Sequence, residues 1–527
     1  MRTSPLRALA TIAALLAVAP FTAAPVAAQD LAHGQEVYER WCASCHGIEG
    51  TGDGSAAARM LPRPRDFTRG IYQVRTTATG DIPSDADILH VINVGMPGTT
   101  MPGWEGQLPA SDREALVAHV KSFYPPFETL PVPTPLEFGG ASGSSADRIA
   151  EGRIFYDSIE CFQCHGQAGR GDGSSAPPLE DDWGSPIRAA DLTQNWRFNG
   201  GGTVENIYRR LRTGLDGTPM AQFSDLIDAG FMTEEQLWSL AHYVRSLSPE
   251  RTPAPREVIR IQRVDPGLIP NDLADPRWDE LEPAYVPLVG QIVARPRWFD
   301  PSVNTVWVQG MHDGYELVLK LTWNDRSLSP DPVWTTDWQA RVLAAMEPRE
   351  DGDLAPGPRP DRLTVQWGNE IPEGMDLPYF LMGDARTPVF LWQWRSDEAR
   401  VERGVANGIN AIRSSGPGGV TAEAQWADGQ WQLLLRRSFE PTDVENELRF
   451  EVGRAIPFAL FAWDGDNGEA GARGAISSWY YIYPEEEVPA STYVTPLLAF
   501  LVTGGLGLFV VGRAQRRERE GLKRMGS

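Results

Sequence analysis

The strongest constraint on this chain is a five-residue pattern that occurs twice, as Cys42-Ala-Ser-Cys45-His46 and as Cys161-Phe-Gln-Cys164-His165. Two cysteines three apart, followed at once by a histidine, form the attachment signal of a c-type haem. Each thiol bonds one vinyl-derived carbon of the porphyrin, and the turn swings the imidazole under the iron as proximal ligand. A Cys-x-x-Cys can also be half of a zinc site or a redox dithiol. The chain has 4 cysteines, and the two patterns consume them all, leaving none for a Cys-rich zinc site or a disulfide. The pattern therefore predicts two covalently bound haem c groups, on Cys42 and Cys45 and on Cys161 and Cys164, with His46 and His165 on the irons.

A shift of 119 positions superimposes the two patterns. The same shift lays Gly52-Asp53-Gly54-Ser55 on Gly171-Asp172-Gly173-Ser174, and Gly95-Met-Pro-Gly98-Thr99-Thr-Met101 on Gly214-Leu-Asp-Gly217-Thr218-Pro-Met220. A fixed offset marks a duplicated structural unit. Met96 falls on Leu215, which cannot bind iron, whereas Met101 falls on Met220, each 55 residues after its histidine. A methionine beside a glycine turn is often core filler, but the offset selects Met101 and Met220 as the distal ligands.

In chain order, Arg2 and Arg7 precede an apolar run that ends in the small-residue cleavage site Val26-Ala27-Ala28, so 1–28 reads as a secretory signal peptide. The first globular unit, 30–124, has Val37, Tyr38 and Trp41 at helical spacing ahead of the haem motif. It ends in a second helical stretch from the N-cap candidate Ser111 to Phe123. A Pro/Gly/Ser-rich linker, 125–145, is stiff in its first half and flexible in its second by composition. The second unit, 146–250, repeats the layout and opens its last helix on Thr233-Glu-Glu-Gln236, a capping-box pattern. Helix, haem motif, methionine loop and C-terminal helix is the layout of the class I cytochrome c fold, which both regions resemble.

From 256 to 485 the period changes. This stretch has no cysteine, and 13 of the chain's 18 tryptophans lie in it. Strand-like runs include Thr305 to Gln309, Glu316 to Trp323, Arg362 to Trp367, Pro388 to Trp394, Leu448 to Val452 and Ala475 to Tyr483. The runs Thr421 to Trp426 and Gln430 to Arg437 flank Ala427-Asp428-Gly429, a hairpin signal. Short strands with Asp-Gly and Pro punctuation predict an all-β sandwich. The stretches Gln309-Gly-Met-His-Asp-Gly314, Pro378-Tyr-Phe-Leu-Met-Gly-Asp384 and Ala475-Ile-Ser-Ser-Trp-Tyr-Tyr481 resemble the haem-binding γ subunits of ethylbenzene dehydrogenase and its relatives. Those subunits are β-sandwiches that hold one b-type haem between a methionine and a lysine, and they pass electrons out of molybdenum enzymes of the dimethyl-sulfoxide-reductase class. The resemblance implies Met382 as an axial ligand. For the second ligand, the domain's one lysine is Lys320, inside a strand, and Gly474 stands where the family's lysine is expected. His312, its one histidine, is the substitute. The sandwich then either holds a haem b or has kept the fold and lost the group.

The chain closes with Tyr493 to Gly512, uncharged and mostly apolar, followed by Arg513, Arg516, Arg517, Arg519, Lys523 and Arg524. Twenty such residues span one bilayer, and the basic flank places 513–527 in the cytoplasm and the three domains in the periplasm. The net charge of −22 excludes a nucleic-acid footprint and fits an acidic surface that steers towards basic redox partners. The architecture expected is two all-α class I cytochrome c domains, an all-β sandwich and one C-terminal transmembrane helix. The function expected is electron transfer rather than catalysis: a membrane-anchored cytochrome relaying electrons between a partner and the respiratory chain. The partners expected are a periplasmic oxidoreductase (on the resemblance a molybdenum enzyme), a soluble cytochrome or a quinol-oxidising complex. The alternatives are a dihaem peroxidase-like enzyme, in which one haem opens a distal position, and a ligand-binding sandwich whose tryptophans recognise a carbohydrate.

Overall fold

The computed structural model describes residues 26–131, 133–346, 355–368, 370, 377–398, 400–487 and 491–525. The expected signal peptide, except for its last three residues, lies outside them. The chain forms two compact units. One gathers the residues up to Ala58 with Arg63–Gly139 and Arg209–Ser224, and the other gathers Arg59–Pro62, Gly140–Tyr208 and everything from Asp225. The segment around Met220 thus clusters with the first haem motif's surroundings.

The first unit holds α1 (Val26–Trp41), α2 (Ala43–His46), α3 (Asp85–Val94) and α4 (Ala110–Ser122). The helices α1 and α4 cross so closely that a Cβ on Gly34 would come within 2.2 Å of the Ala115 carbonyl oxygen, so only glycine permits the crossing. The core between them is Val37, Tyr38, Ile88, Ile92, Leu116, Val117 and Val120. Ser84 and Asp87 cap α3 reciprocally. The expected cap Ser111 lies inside α4, which begins one residue earlier behind Pro109, whose fixed φ suits a helix entry. The linker is tied down in this unit: the Leu136 amide donates to the Thr76 carbonyl, 2.8 Å.

The chain then repeats the plan with α5 (Ala146–Ser158), α6 (Phe162–His165), α7 (Val204–Thr213), α8 (Ser224–Asp228) and α9 (Glu234–Ser246), of which α5, α6 and α9 belong wholly to the second unit. Gly152 occupies the α5/α9 crossing, with the Ser239 carbonyl oxygen 2.0 Å from where its Cβ would stand. The Thr233/Gln236 capping box forms as expected.

The sheet domain follows in the second unit. Its strands are β1 (Val258–Arg263), β2 (Ala284–Pro287), β3 (Val289–Gly290), β4 (Thr305–His312), β5 (Glu316–Asn324), β6 (Arg362–Gly368) and β7 (Val389–Arg395). After them come β8 (Glu402–Ala406), β9 (Ile412–Pro417), β10 (Val420–Ala427), β11 (Gln430–Ser438), β12 (Ile456–Trp463), β13 (Ala475–Ile476) and β14 (Tyr480–Pro484). The ladder runs β10-β11-β5-β4-β1-β14-β12-β6-β7-β8-β9, and β1 is parallel to both of its neighbours while the other pairs are antiparallel. Strands far apart in this order meet face to face, since Trp394 of β7 lies 4.9 Å from Trp431 of β11 and 5.7 Å from Trp323 of β5. The sheet therefore folds over its own core, as a sandwich does. Most of the domain's tryptophans point inward, and Trp278, Trp298, Trp323 and Trp367 are fully buried.

Two expected strands differ. Leu448 to Val452 is irregular, because its Leu448 carbonyl is taken by the Arg437 guanidinium and only the Phe450 amide makes a strand-like bond, to the Phe439 carbonyl. Ala475 to Tyr483 is broken at Ser477, whose hydroxyl takes the Leu460 amide, 2.9 Å. The hairpin at Ala427-Asp428-Gly429 forms, with positive φ at Asp428 (48°) and Gly429 (74°), the type I′ geometry that matches strand twist. A short helix, α10 (Ala340–Ala345), lies between β5 and β6, and the chain ends in α11 (Ser491–Met525). Among the described residues one helix, Thr492–Met525, is long and apolar enough to cross a membrane, and none of its apolar stretch is buried.

Candidate functional site

The repeat offset extends from sequence into hydrogen bonding. In the first haem loop the Gly52 amide donates to the His46 carbonyl, Gly54 to Cys45 and Ala56 to Ser44; in the second, Gly171 donates to His165, Gly173 to Cys164 and Ser175 to Gln163. The two loops thus wrap the motif identically. A tyrosine on the preceding helix closes each one: the Tyr38 hydroxyl donates to the Gly47 carbonyl, 2.8 Å, and the Tyr156 hydroxyl to Gly166, 2.5 Å. These tyrosines are one position out of step with the offset. Glu160 absorbs the extra residue in a left-handed conformation, φ 60°, so that the Cys161 amide reaches back to Tyr156 where Cys42 reaches back to Tyr38.

The histidine of each motif is oriented by a backbone carbonyl that no motif announces. His46 Nδ1 lies 3.0 Å from the Arg65 carbonyl oxygen, and His165 Nδ1 lies 2.9 Å from that of Ala190. A carbonyl can only accept, so Nδ1 carries the proton and Nε2 is the nitrogen left to bind a metal. Desolvation lowers the pKa of both imidazoles, keeping them in the neutral form that ligation needs. His46 also stacks on Phe67, 4.6 Å between centroids.

Burial pushes the thiols of Cys42 and Cys161 up to about 12, with the neighbouring cysteine adding to the shift in each. Reactive dithiols carry thiols shifted the other way. Cys42 and Met101 both pack against the core cluster of Tyr38, Ile88 and Trp104. In that unit the Tyr72 hydroxyl and the Trp104 indole N–H are buried and have no protein partner. Two orphaned donors beside an apolar cluster, two thiols and a carbonyl-oriented imidazole fit a porphyrin, which is apolar across its face and carries acidic groups at one edge.

The two methionine loops share one hydrogen-bond set. The Met96 amide donates to the Met101 carbonyl and Thr99 to Met96; Leu215 donates to Met220 and Thr218 to Leu215. The Thr99 and Thr218 hydroxyls accept from the Met101 and Met220 amides at 3.1 and 3.2 Å. The second loop is held by Arg75, whose side chain has no exposed surface. Its guanidinium donates to the carbonyls of Tyr72, Ala78 and Thr213 and pairs with Asp216 at 2.8 Å.

The segment that orients His165 is fastened to the sheet domain. On one side of Ala190, Arg188 pairs with Asp300 at 2.5 Å and donates to Asn467 Oδ1 at 2.8 Å. On the other, Asp191 accepts from Asn324 Nδ2 at 2.6 Å. Arg170 donates to the Asp428 carbonyl at the tip of the β10/β11 hairpin, 2.7 Å.

The residues implied for a b-type haem are not gathered in this way. Met382 is fully buried with φ 60° in a cluster with Val389, Phe461, Trp463 and Ile476. Gly474 borders the same cluster, but a Cβ there would lie 2.7 Å from the Ala462 carbonyl oxygen and from Phe461, so there is no room for a lysine. Lys320 Nζ lies over the Trp278 ring, 5.8 Å away. His312, which its turn-like sequence would place in an exposed loop, is fully buried at the end of β4, against Phe439 and with Nε2 at 3.1 Å from the Glu485 carbonyl oxygen.

Comparison with known proteins agrees with the duplicated geometry. Residues 29–120 match the family described as cytochrome c oxidase, cbb3-type, subunit III, and residues 149–248 match the cytochrome c family. A chain of the reducing HAO-like protein complex of Kuenenia stuttgartiensis is 41% identical over 41% of this chain and 96% of its own, with a TM-score of 0.39. The protein named respiratory nitrate reductase heme subunit ORF7 of Haloferax mediterranei is 24% identical over 267 residues, 50% of this chain and 87% of its own. A carbohydrate binding module of family 9 from Caldicellulosiruptor kristjanssonii, in complex with glucose, is 10% identical over 44% of this chain and 97% of its own, with a TM-score of 0.23. With two stretches that match cytochrome c families and a haem-subunit relative, the chain is a multihaem cytochrome that takes part in electron transfer.

Proposed function

We propose that the chain is a membrane-anchored, extracytoplasmic electron-transfer subunit whose two haem c irons are bound by His46 with Met101 and by His165 with Met220. The observation that carries this reading is the shared hydrogen-bond set of the two methionine loops, together with a carbonyl-oriented imidazole in each motif. With both axial positions filled, such a haem exchanges electrons at a raised potential and has no open position for a substrate. The protein's part is to fix that ligation. The carbonyls of Arg65 and Ala190 hold the ring planes, the threonine hydroxyls hold the methionine loops, and apolar packing keeps water out. The unburied apolar helix with its basic C-terminal flank supports an anchor whose tail is cytoplasmic. The relatives, a protein named as a nitrate reductase haem subunit and a chain of an HAO-like complex, support a redox enzyme as the partner.

The sheet domain then acts as the platform that positions the second cytochrome domain through Arg188, Asp191 and Arg170. A second reading, a third redox centre of b type as in the γ subunits it resembles, is favoured by Met382 alone, a non-glycine residue kept at positive φ in a buried cluster. A pyridine haemochrome count on the full-length protein in detergent separates the two. Two c-type haems per chain and no extractable haem support the platform, one extractable haem in addition establishes the third centre, and fewer than two c-type haems overturns the central assignment.

A further inference from the structure

Five carboxylates are buried at one end of the sandwich: Asp325, Asp361, Asp464, Asp466 and Glu469, each no more than 4% exposed. Two of them are accounted for. Asp466 accepts from Ser327 Oγ, the Asp331 amide and Thr335 Oγ1. Glu469 accepts from Trp298 Nε1, the Ser302 amide, Asn467 Nδ2 and the Asp464 amide. The other three converge, and one oxygen from each of Asp325, Asp361 and Asp464 lies within 4.8 Å of the others. Asp361 and Asp464 have some donors: Trp431 Nε1 and the Ser329 and Gly465 amides for the first, Ser329 Oγ and the Asn467 amide for the second.

Asp325 is different. Both of its carboxylate oxygens are buried without a hydrogen bond. The Ser327 amide is near enough to favour its charged form but falls short of hydrogen-bond geometry. A carboxylate can only accept, and burying one unpaired is among the costliest arrangements in a protein. No basic side chain among the described residues forms an ion pair with any of the three. Arg326, the next residue along, turns towards Ser302 instead, its Nη1 donating to Ser302 Oγ at 3.2 Å.

We infer that Asp325, Asp361 and Asp464 bind a divalent cation of the calcium class. The donor set is all oxygen, which suits a hard cation rather than zinc or copper. Oxygens up to 4.8 Å apart fit around one ion at calcium–oxygen distances of about 2.3–2.6 Å. The site joins the two layers of the sandwich: Asp325 follows β5, while Asp361 and Asp464 flank β6 and β12, which are paired in the opposite layer. It also lies beside the residues that fasten the His165 segment, since Asn324 precedes Asp325, and Asn467, which receives Arg188, donates its amide to Asp464. A cation here staples the sandwich at the point where the second cytochrome domain rests on it.

The test uses the full-length, haem-loaded protein in detergent, stripped with EGTA and titrated with calcium chloride. The expected result is one calcium bound per chain, with slowed amide exchange in peptides spanning 325–331 and 464–469 and a higher unfolding temperature. Asp325→Asn, close to isosteric, is expected to weaken binding at least tenfold and to abolish the thermal shift. Absence of saturable calcium binding by the wild-type protein overturns the inference. So does binding that protects only other segments, or that survives unchanged in D325N. Should D325N fail to take up its haems, the wild-type exchange map decides alone, because it reports where the ion sits.

Discussion

Arg75 offers a sharp test of how the second methionine loop is held. Its guanidinium, fully buried, makes three hydrogen bonds to backbone carbonyls, including that of Thr213, and an ion pair with Asp216. Hydrogen bonds from a charged donor contribute about 1.5–3 kcal/mol each, and removing one partner of a buried ion pair costs about 3–5 kcal/mol. The four contacts share one group and do not add. The Thr213 carbonyl keeps the Thr79 hydroxyl at 2.8 Å as a second donor, and the side chain of Asp216 is 21% exposed, so water can take up part of its charge. The net loss for Arg75→Leu is therefore placed at about 3 kcal/mol, a factor of about a hundred in the local opening equilibrium. Hydrogen exchange read by mass spectrometry should show protection of peptides within 209–224 falling by that factor. The methionine–iron charge-transfer band of one haem should weaken at lower denaturant than in the wild type. Arg251→Leu, on the surface, should change neither. Unchanged protection in 209–224, or a loss spread evenly over the whole chain, would show that Arg75 does not hold this loop.

Three further outcomes are expected. Met101→Ala and Met220→Ala should each lower the potential of one haem and leave the other in place, by part of the roughly 0.8 V range that axial ligands command; a redox titration in which neither wave moves contradicts the ligand assignment. Gly152→Val should drive α5 off α9, because its first side-chain atom would meet the Ser239 carbonyl oxygen at 2.0 Å. The expected cost is about 3 kcal/mol, the upper part of the overpacking range, measured as an earlier thermal loss of the second domain's haem signal. Asp191→Ala removes one of the two acceptors of Asn324 Nδ2 and should cost about 1–2 kcal/mol; a shift in the potential of one haem but not the other would report the altered setting of His165, whereas equal potentials in mutant and wild type would separate the platform from the haem.

What the sequence by itself determined is whatever rests on short covalent spacing. Two cysteines and a histidine within five residues form the signal for haem attachment wherever the chain later goes, and a repeat offset proposes Met101 over Met96 without any coordinates. The Asp428-Gly429 hairpin is legible for the same reason, since positive φ is a local demand. The offset stops being informative at Glu160, where a single extra residue shifts Tyr156 out of step with Tyr38 while their hydroxyls make the same bond. Tertiary structure alone decided the rest. The run Ile456–Trp463 is buried along its whole length, so it lacks the alternation that betrays a half-exposed strand, and the expectation settled on Leu448 to Val452 instead. The carbonyls of Arg65 and Ala190 orient His46 and His165 through backbone atoms, which carry no residue signature. Arg75 meets Thr213, and Asp325 meets Asp361 and Asp464, across long stretches of chain. Each of those side chains is unremarkable in its own neighbourhood, and its role arises only because folding removes water from around it and brings groups from distant parts of the chain beside it.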